Sequence, residues 1–412
     1  SANGLGNHRN GFKRKFIDDA SRNKMNNLAN KALLPDGVRD GLPPDAAHEA
    51  GVVARLIASF ESYGYERVTP PLVEFEDTLL DGAAQSIAND TFRLMDPVSQ
   101  RMMGVRADMT LQIARIATTR LRNEARPLRL AYAGPVLRVK GSQLRPEREV
   151  FQAGVELIGA SSPAADAEII ALAATALENL GVSGLSVDIN LPTMVPAICA
   201  AMNLDDEVTR DLRDALDKKD SNAVEAIGGP AGALLKALLN AAGPADTAFA
   251  AMETLDLPEG PAGERTRLGE ALAFLRQATP DLAVTVDPVE HRGFEYHSGL
   301  SFTVFANGVR GEIGRGGRYL AGATGEKSTG FTLFLDTILR ALPDAFRSER
   351  VYLPFGVPAA QADSIRAEGW VALAGLAPEP DPMVAAREQG CTHVYLDEII
   401  AVTRTNSKAN EE

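Results

Sequence analysis

Three cationic side chains lie in a short loop between two segments that are predicted to form β-strands. The run 132–139 is largely apolar, and the run 149–158 alternates apolar and polar residues, which is typical of paired strands. The loop between them contains Lys140, Arg145 and Arg148, opposed by one acidic residue. Because the guanidinium fork of arginine matches planar anions, this spacing predicts a cleft that binds carboxylate or phosphate groups.

The elements before this loop are predicted from helical spacing and from glycine and proline. Asp45 is the predicted N-cap of a helix over 46–63, which Gly64 ends. A hairpin is predicted around Asp96-Pro97, and a helix follows it over 111–123. These elements must bring their side chains to the cleft that the charged loop faces.

After the loop, the sequence predicts a helix over 163–180 and a strand over 185–190. Residues 191–280 then contain no convincing strand. Their predicted amphipathic helices cover 205–219, 231–242, 245–255 and 263–278. A hairpin with Asn307-Gly308 at its turn and a closing helix over 330–342 complete this part of the chain.

The chain has 412 residues, which is too long for a single core and predicts several domains. The predicted division is a leader at 1–32, a core at 33–190 and 281–345, a helical insertion at 191–280, a small α/β domain at 350–400 and a tail at 401–412. The polar, aperiodic leader is interpreted as either an artificial extension or a basic arm.

The charge of the chain is uneven. Net charge is −13, but residues 1–24 hold six Lys or Arg and two Asp, which leaves −17 on the rest. A body this acidic repels a phosphate backbone, so we expect no tRNA partner. Cys199 and Cys391 lie far apart without metal-ligand spacing, which predicts reduced thiols and no metal. No apolar run approaches the roughly 20 residues that span a bilayer, and no signal peptide is visible, so we predict a cytoplasmic protein.

The hairpin around the charged loop resembles motif 2 of class II aminoacyl-tRNA synthetases. Residues 138–140 read Arg-Val-Lys and residues 148–156 read Arg-Glu-Val-Phe-Gln-Ala-Gly-Val-Glu. The histidyl-tRNA synthetase family is similar, with Arg-x-Glu before an eight-residue loop and Arg-Glu-Phe-x-Gln-x-Gly-x-Glu after it. Further segments resemble that family in the same order: 35–43, 63–74, 105–110, 291–297 and 316–319. The resemblance implies an α+β fold, a class II synthetase-like antiparallel sheet flanked by helices, with a dimer-forming motif 1 in 63–74.

The resemblance also implies a pocket for histidine. Asp108, Thr110 and Gln152 match positions that hold the α-amino group, Glu156 matches the carboxylate that meets the imidazole, and Arg292 matches the arginine that meets the ligand carboxylate. The predicted histidine-binding set is completed by Tyr296, His297 and Tyr319, and a second, anion-binding site by Arg138 and Arg148. His297 replaces a tyrosine of the family, so one phenolic partner is lost. Asp108 replaces a glutamate, so its side chain is shorter by one methylene.

Three departures fall on the ATP half of the resemblance. Thr337 stands where the family has the arginine that grips the ATP phosphates, Phe334 where it has glycine, and Lys140 where it has a glutamate that places adenine. Threonine cannot replace a charged bidentate contact, whose loss costs on the order of 1.5–3 kcal/mol. We therefore predict no catalytic residues and no aminoacylation.

This combination resembles one paralogue group, the regulatory subunits of short-form ATP phosphoribosyltransferase. The resemblance implies a non-catalytic partner in the first step of histidine biosynthesis, which activates a catalytic subunit, lets L-histidine inhibit it, and forms a homodimer within a hetero-octamer without cofactor or membrane. Two alternatives stay open: an active histidyl-tRNA synthetase and an orphan histidine-binding paralogue.

The candidate side chains also have structural interpretations. Arg138 and Arg148 could be surface cations of a hairpin, and Asp108 and Glu156 could be solvated acids at strand ends. Arg292 could pair with a neighbouring glutamate. The glycines at 314, 316 and 317 suggest a packing or bulge role, because no P-loop lysine follows them.

Overall fold

The computed structural model describes residues 33–81, 85–141, 146–290, 297–322, 324–345 and 348–402. These residues form two compact units. The larger comprises the described parts of Ser1–Gly41 and Glu49–Pro343, and the smaller the described parts of Leu42–His48 and Asp344–Glu412. No helix of the described ranges is both long and apolar enough to cross a bilayer.

The elements up to residue 158 belong to the larger unit, except for the first residues of the first helix, which belong to the smaller one. They are, in chain order, α1 (Asp45–Ser62), β1 (Glu66–Arg67), β2 (Val73–Phe75), α2 (Glu76–Leu79), α3 (Gln85–Asp90), β3 (Phe92–Met95), β4 (Met102–Val105), α4 (Thr110–Thr119), β5 (Leu128–Leu137) and β6 (Glu149–Ile158). The predicted strand over 149–158 is confirmed, and its partner begins and ends earlier than predicted. Strands β5 and β6 pair antiparallel over their full length, with Tyr132 opposite Gly154.

The rest of the larger unit contains the helices of 191–280 and the remaining strands. Its elements are α5 (Pro163–Leu180), β7 (Leu185–Asn190), α6 (Met194–Ala201), α7 (Asp206–Asp217), α8 (Ser221–Ile227), α9 (Gly232–Ala241), β8 (Gly243–Pro244), α10 (Ala245–Glu253), α11 (Glu259–Ala278), β9 (Ala283–Asp287), β10 (Ser301–Ala306), β11 (Gly314–Ala321), β12 (Glu326–Phe334) and α12 (Leu335–Ala341). The predicted helices α7, α9, α10 and α11 are present, whereas α6, α8 and the two-residue strand β8 were not predicted.

Nine strands form the main sheet, in the order β1-β5-β6-β12-β11-β10-β7-β9-β8. Only the β1–β5 and β7–β9 pairs are parallel. A separate three-stranded antiparallel sheet has the order β2-β4-β3. Helix α5 packs against one face of the main sheet, and its buried alanine, isoleucine and leucine side chains join the largest apolar core.

Helix α4 covers part of the opposite face. Its apolar residues and the preceding Met109 pack on β5, β6, β12 and β11, together with Tyr132, Tyr319 and Phe334. This packing places the N-terminus of α4 above β5 and β6. The side chains just before the helix are therefore held at a fixed distance from the sheet.

Two predictions at the end of this unit need correction. The closing helix predicted over 330–342 is wrong in its first half, because 330–334 belong to β12 and α12 begins at Leu335. Strand β12 is buried on both faces, so its apolar run shows no alternation that separates it from a helix. The second strand of the Asn307-Gly308 hairpin begins at Gly314, since residues 307–313 form a longer loop than the two-residue turn predicted.

The smaller unit contains β13 (Arg350–Leu353), α13 (Ala359–Ala367), β14 (Val371–Ala374), α14 (Pro382–Glu388), β15 (His393–Leu396) and β16 (Glu398–Ala401). Its sheet has the order β14-β13-β15-β16, parallel except for the last pair. Trp370 contacts the ring of His393 edge-on with centroids 4.7 Å apart. Strand β16 was not predicted.

Candidate functional site

Glu156 lies at the centre of the site, on β6 and facing α4. Its side chain is 1% exposed. The Tyr319 hydroxyl of β11 donates a 2.8 Å hydrogen bond to Oε2, and the Tyr132 hydroxyl of β5 lies 3.4 Å from Oε1. Among the described residues, no lysine or arginine forms an ion pair with this carboxyl group. The site therefore contains a buried acid that is held by hydroxyl groups and not by a cation.

The protonation of Glu156 follows from this setting. Burial raises the pKa of its carboxyl group from 4.5 to about 8, while hydrogen bonds from Tyr319 and Thr110 oppose the rise. The negative charge of Asp108 adds to the increase in pKa. At neutral pH the carboxyl group is mostly protonated, so it can donate as well as accept a hydrogen bond.

Glycines make room for this carboxyl group. Gly330 lies directly opposite Glu156 on the neighbouring strand β12. A methyl group at 330 would overlap Oε2 of Glu156, and one at Gly154 would lie 2.6 Å from the Tyr132 hydroxyl oxygen. The two glycines thus leave room for the Glu156 carboxyl group and the Tyr132 hydroxyl on the same face of the sheet.

Asp108 and Gln152 form the second polar group of the site. The amide nitrogen Nε2 of Gln152 donates to Oδ2 of Asp108 at 3.0 Å, and the backbone N–H of Thr110 donates to Oδ1 at 2.8 Å. Oε1 of Gln152 accepts from the backbone N–H of Met109 at 3.2 Å. These bonds tie the start of α4 to β6, and they hold a partly exposed carboxylate beside the Glu156 pocket.

The remaining predicted histidine ligands are His297, which the structure describes, and two residues that it does not describe. His297 is buried and lies against β11, where a methyl group at Gly317 would approach its Cδ2 to 2.7 Å. Arg292 and Tyr296 lie outside the described residues. The structure therefore brings together Asp108, Thr110, Gln152, Glu156 and Tyr319, with His297 near Tyr319 on β11.

Two predicted cations lie at the edge of the site. Nε of Arg138 donates to the carbonyl oxygen of Ala107 at 3.4 Å, next to Asp108. Arg148 lies over the Phe92 ring at 5.0 Å, and its Nη1 donates to the carbonyl oxygen of Asp36 at 3.3 Å. Both arginines thus hold neighbouring backbone, and Arg145 of the same loop lies outside the described residues.

Phe334, at the end of β12, packs into an apolar cluster beside Gln152. Phe334 lies opposite Gln152, is 1% exposed, and packs in the same cluster as Met109 and Val150. The guanidinium of Arg315 lies 5.7 Å from the centre of the Phe334 ring. A bulky ring packed under a cation occupies the region where the resemblance puts a glycine and ATP.

Thr337 is also unable to reach a ligand. It is 0% exposed, and its Oγ1 accepts a 3.2 Å hydrogen bond from Nη2 of Arg340. The same nitrogen lies 3.2 Å from Oδ2 of Asp336. Arg340, the cationic residue of this helix, therefore lies one turn beyond position 337 and is paired with Asp336.

A buried ion pair lies on the other face of the sheet behind Tyr319. Nε of Arg318 donates to Oδ2 of Asp166 at 2.9 Å, and Nη2 donates to the carbonyl oxygen of Ser162 at 2.6 Å. Burial raises the pKa of Asp166 to about 6 against the opposing effect of Arg318. A cavity of about 210 Å³ adjoins this pair and Tyr319. The pair ties β11 to the first turn of α5 and so supports the strand that carries Tyr319.

Sequence reasoning missed Tyr132 and Thr332, whose hydroxyl oxygens lie 2.7 Å apart beneath Glu156. The available signal was the hairpin register, since Tyr132 faces the glycine of the motif that resembles Gln-x-Gly-x-Glu. Across the described residues, no three His, Cys, Asp or Glu side chains are arranged to hold a metal ion.

Comparison with known families agrees with this geometry. The family model described as histidyl-tRNA synthetase matches residues 37–338. A protein of Rhodospirillum centenum named ATP phosphoribosyltransferase regulatory subunit is 56% identical over 364 residues, which cover 88% of this chain and 94% of that protein. One of the same name from Pseudomonas fluorescens is 35% identical and covers 87% and 94%.

Solved structures give the same fold. A Bacillus halodurans protein, titled as an ATP phosphoribosyltransferase regulatory subunit/histidyl-tRNA synthetase, has a TM-score of 0.75 at 25% identity, covering 88% of this chain and 97% of that one. Histidyl-tRNA synthetase from Nostoc has a TM-score of 0.74 at 17% identity, covering 88% and 90%, and is similar in fold alone. These likenesses confirm the class II synthetase-like fold that the motifs predicted.

Proposed function

The chain belongs to the histidyl-tRNA synthetase family, as one of its ATP phosphoribosyltransferase regulatory subunits, and we propose that it activates a separate catalytic subunit and senses histidine. It is a regulatory subunit and not an enzyme. One observation supports the sensing role: Glu156, at the position that the resemblance assigns to the imidazole partner, is a buried acid held by the Tyr319 hydroxyl, and Phe334 packs where the family has glycine.

The proposed ligand, free histidine, presents one cation, one anion and a ring with a donor and an acceptor. Asp108 and Gln152 lie where they would hold the α-amino group, and Glu156 would meet the imidazole. Arg292, which lies outside the described residues, is proposed for the carboxylate on the basis of the resemblance. Each polar group of the ligand thus has a proposed partner of opposite charge or of complementary hydrogen-bonding role.

Phe334 limits the ligands that we expect at this site. It packs in one cluster with Met109 and lies 5.7 Å from the Arg315 guanidinium, and we infer that this bulk opposes a nucleotide in line with an amino acid bound at Asp108. Adenylation needs that alignment. The proposed pocket therefore binds the amino acid without adenylating it, as an effector site does.

Feedback requires that histidine change the activity of a different chain. We infer two states of the assembly with different histidine affinity, because a ligand shifts an equilibrium only through such a difference. A coupling of about 1–3 kcal/mol, typical of allosteric systems, would change the activity-controlling equilibrium roughly 5- to 150-fold. In this proposal the protein acts in the cytoplasm, as a homodimer within a hetero-octamer.

An apolar surface supports the dimer. Strands β2, β3 and β4 place Phe75, Phe92, Leu94, Met103 and Val105 on one face, and in a single chain none of them is fully buried. Leu94 is 39% exposed. A second copy on this face would cover these apolar side chains together with Arg101 and Arg148, whose guanidinium groups lie over the Phe75 and Phe92 rings.

The test is co-purification with a short-form catalytic subunit, followed by activity assays with and without histidine. We expect activity to require both chains and to fall when histidine is added. Histidine-dependent ATP–pyrophosphate exchange well above background by this chain alone would instead identify an active synthetase. Histidine binding without any effect on the catalytic subunit would identify an orphan amino-acid-binding paralogue.

A further inference from the structure

Tyr132 lies under the carboxyl group of Glu156 and belongs to the described core of the larger unit. It is 0% exposed, on β5, between the apolar residues of α4 and the sheet. Burial raises the pKa of its phenol, with the negative charge of Glu156 as the next cause, so the hydroxyl keeps its proton. A single proton is therefore available from this oxygen.

Four oxygen atoms surround the Tyr132 hydroxyl, and one of them is the hydroxyl oxygen of Thr110 at the start of α4. Oγ1 of Thr332 lies at 2.7 Å, whereas Oε1 of Glu156 and the carbonyl oxygen of Phe331 both lie at 3.4 Å. The short contact fixes the position of the phenol oxygen, and Thr332 can be its donor. When the Thr332 and Thr110 hydroxyls donate to the phenol oxygen, the Tyr132 proton has two alternative acceptors at equal distance, Oε1 of Glu156 and the Phe331 carbonyl oxygen.

The two acceptors differ in how their hydrogen-bonding strength depends on the charge of Glu156. Oε1 accepts strongly only when Glu156 is ionised, while the Phe331 carbonyl oxygen accepts in either case. The other oxygen of the carboxyl group, Oε2, is held at 2.8 Å by Tyr319. The direction of the Tyr132 hydroxyl therefore responds to the protonation of Glu156.

We propose that Tyr132, fixed by Thr332, is a positioning residue for ligand recognition: its hydroxyl turns to Oε1 when Glu156 is ionised and to the Phe331 carbonyl when Glu156 is protonated. The carboxyl group can then either accept a hydrogen bond from a ring nitrogen or donate one to it. This adaptability suits an azole side chain, whose two nitrogens play opposite roles. The inference rests on the proposed binding of histidine.

The other groups that face Glu156 set the background for a test. From the N-terminus of α4 these are Asp108 and Thr110, and from β11 Tyr319. His297, ahead of β10, lies against Gly317 of β11. None of them is changed by substitution at 132 or 332. Tyr65 offers a matched control, because it is another tyrosine of 1% exposure whose hydroxyl donates to a carboxylate, Oε1 of Glu168, at 2.9 Å.

The experiment is calorimetric titration of the full chain with L-histidine between pH 6 and 9, for the parent, Tyr132→Phe, Thr332→Val and Tyr65→Phe. Where Glu156 is ionised, we expect Tyr132→Phe to weaken binding roughly 10- to 150-fold, as loss of one hydrogen bond to a charged group does. Because ionised Glu156 loses a donor, the pH above which affinity declines should also move upward. Thr332→Val should shift the affinity and this pH in the same direction, by less.

Tyr65→Phe should lower thermal stability without changing histidine affinity or its pH limit. Equal losses of affinity in Tyr65→Phe and Tyr132→Phe would mean a merely structural role and would overturn the inference, as would parent-like binding by Tyr132→Phe. If Tyr132→Phe does not fold, Thr332→Val decides by the same criterion. No binding by the parent at any pH would contradict the proposed function itself, and with it the role of Tyr132.

Discussion

Gly330 and Glu156 face each other on adjacent strands, and the space that a side chain at 330 would need is occupied by the Glu156 carboxyl group. The glycine therefore fixes where the buried acid can point. The same strand passes Thr332 and ends at Phe334, so one segment shapes the acid pocket and places the Phe334 ring beside Gln152.

Substitution of Gly330 by alanine should remove histidine binding. The added methyl group must displace the Glu156 carboxyl group or the backbone of β6, and overpacking of this kind costs about 1–3 kcal/mol of stability. Calorimetry should show at least a tenfold loss of affinity. Gly260→Ala on α11 is the matched control, because nothing lies within 4 Å of the added atom and helix propensity favours alanine.

The main strands and the helices that cover the sheet could be predicted from the sequence because their patterns are local. The strand of Glu156 was predicted to the residue, since turn signals bound its alternating run. Position 330 was assigned to a helix because β12 is buried on both faces and its apolar residues fit either period.

The candidate site was predicted only in part, for a physical reason. Asp108, Gln152 and Glu156 came from the motif resemblance, and the structure shows the hydrogen bonds among their segments. Tyr132 and Thr332 lie 200 positions apart in sequence, and only strand pairing across the sheet brings their hydroxyl oxygens together. No local pattern encodes such a contact.

Histidine affinity should be greatest between about pH 6.5 and 8. In this window the pair formed by Glu156, whose pKa is raised to about 8, and an imidazole of pKa about 6.5 shares one proton and carries no net charge. Below the window the buried pair would be positively charged and above it negatively charged, and burial disfavours both. Titrations across this range should give a bell-shaped profile, whereas an affinity that rises steadily with pH would contradict the assignment.

The free energy of unfolding of the unliganded protein should decrease as pH rises, because of the same carboxyl group. A carboxyl group whose pKa rises from 4.5 to about 8 on folding favours the folded state below pH 4.5, and this contribution is lost as pH rises through 8. The full difference corresponds to about 3–5 kcal/mol. Glu156→Gln should therefore gain stability relative to the parent between pH 5 and 9, as chemical denaturation can measure. A parallel pH dependence in both proteins would show that Glu156 is ionised when folded.

A charge on the three-stranded sheet should separate the dimer. Leu94→Glu would place two carboxylates in the apolar interface that we propose, and light scattering at micromolar concentration should then give the mass of one chain. Leu376→Glu is the control, because Leu376 is 94% exposed and lies in the smaller unit. A monomeric parent protein would rule out this face as a stable dimer contact.

The central claim, that the pocket around Glu156 is the sensor of the complex, is tested most directly by inhibition of the assembled enzyme. The parent and Glu156→Ala would each be combined with the catalytic subunit, and activity measured against histidine concentration. The account predicts full assembly and activation by both, inhibition of the parent complex, and a loss of sensitivity of roughly 30- to 1000-fold in the variant, because a buried partner of the imidazole is removed. Inhibition of the Glu156→Ala complex at the same histidine concentration as the parent would contradict it and place the sensor elsewhere.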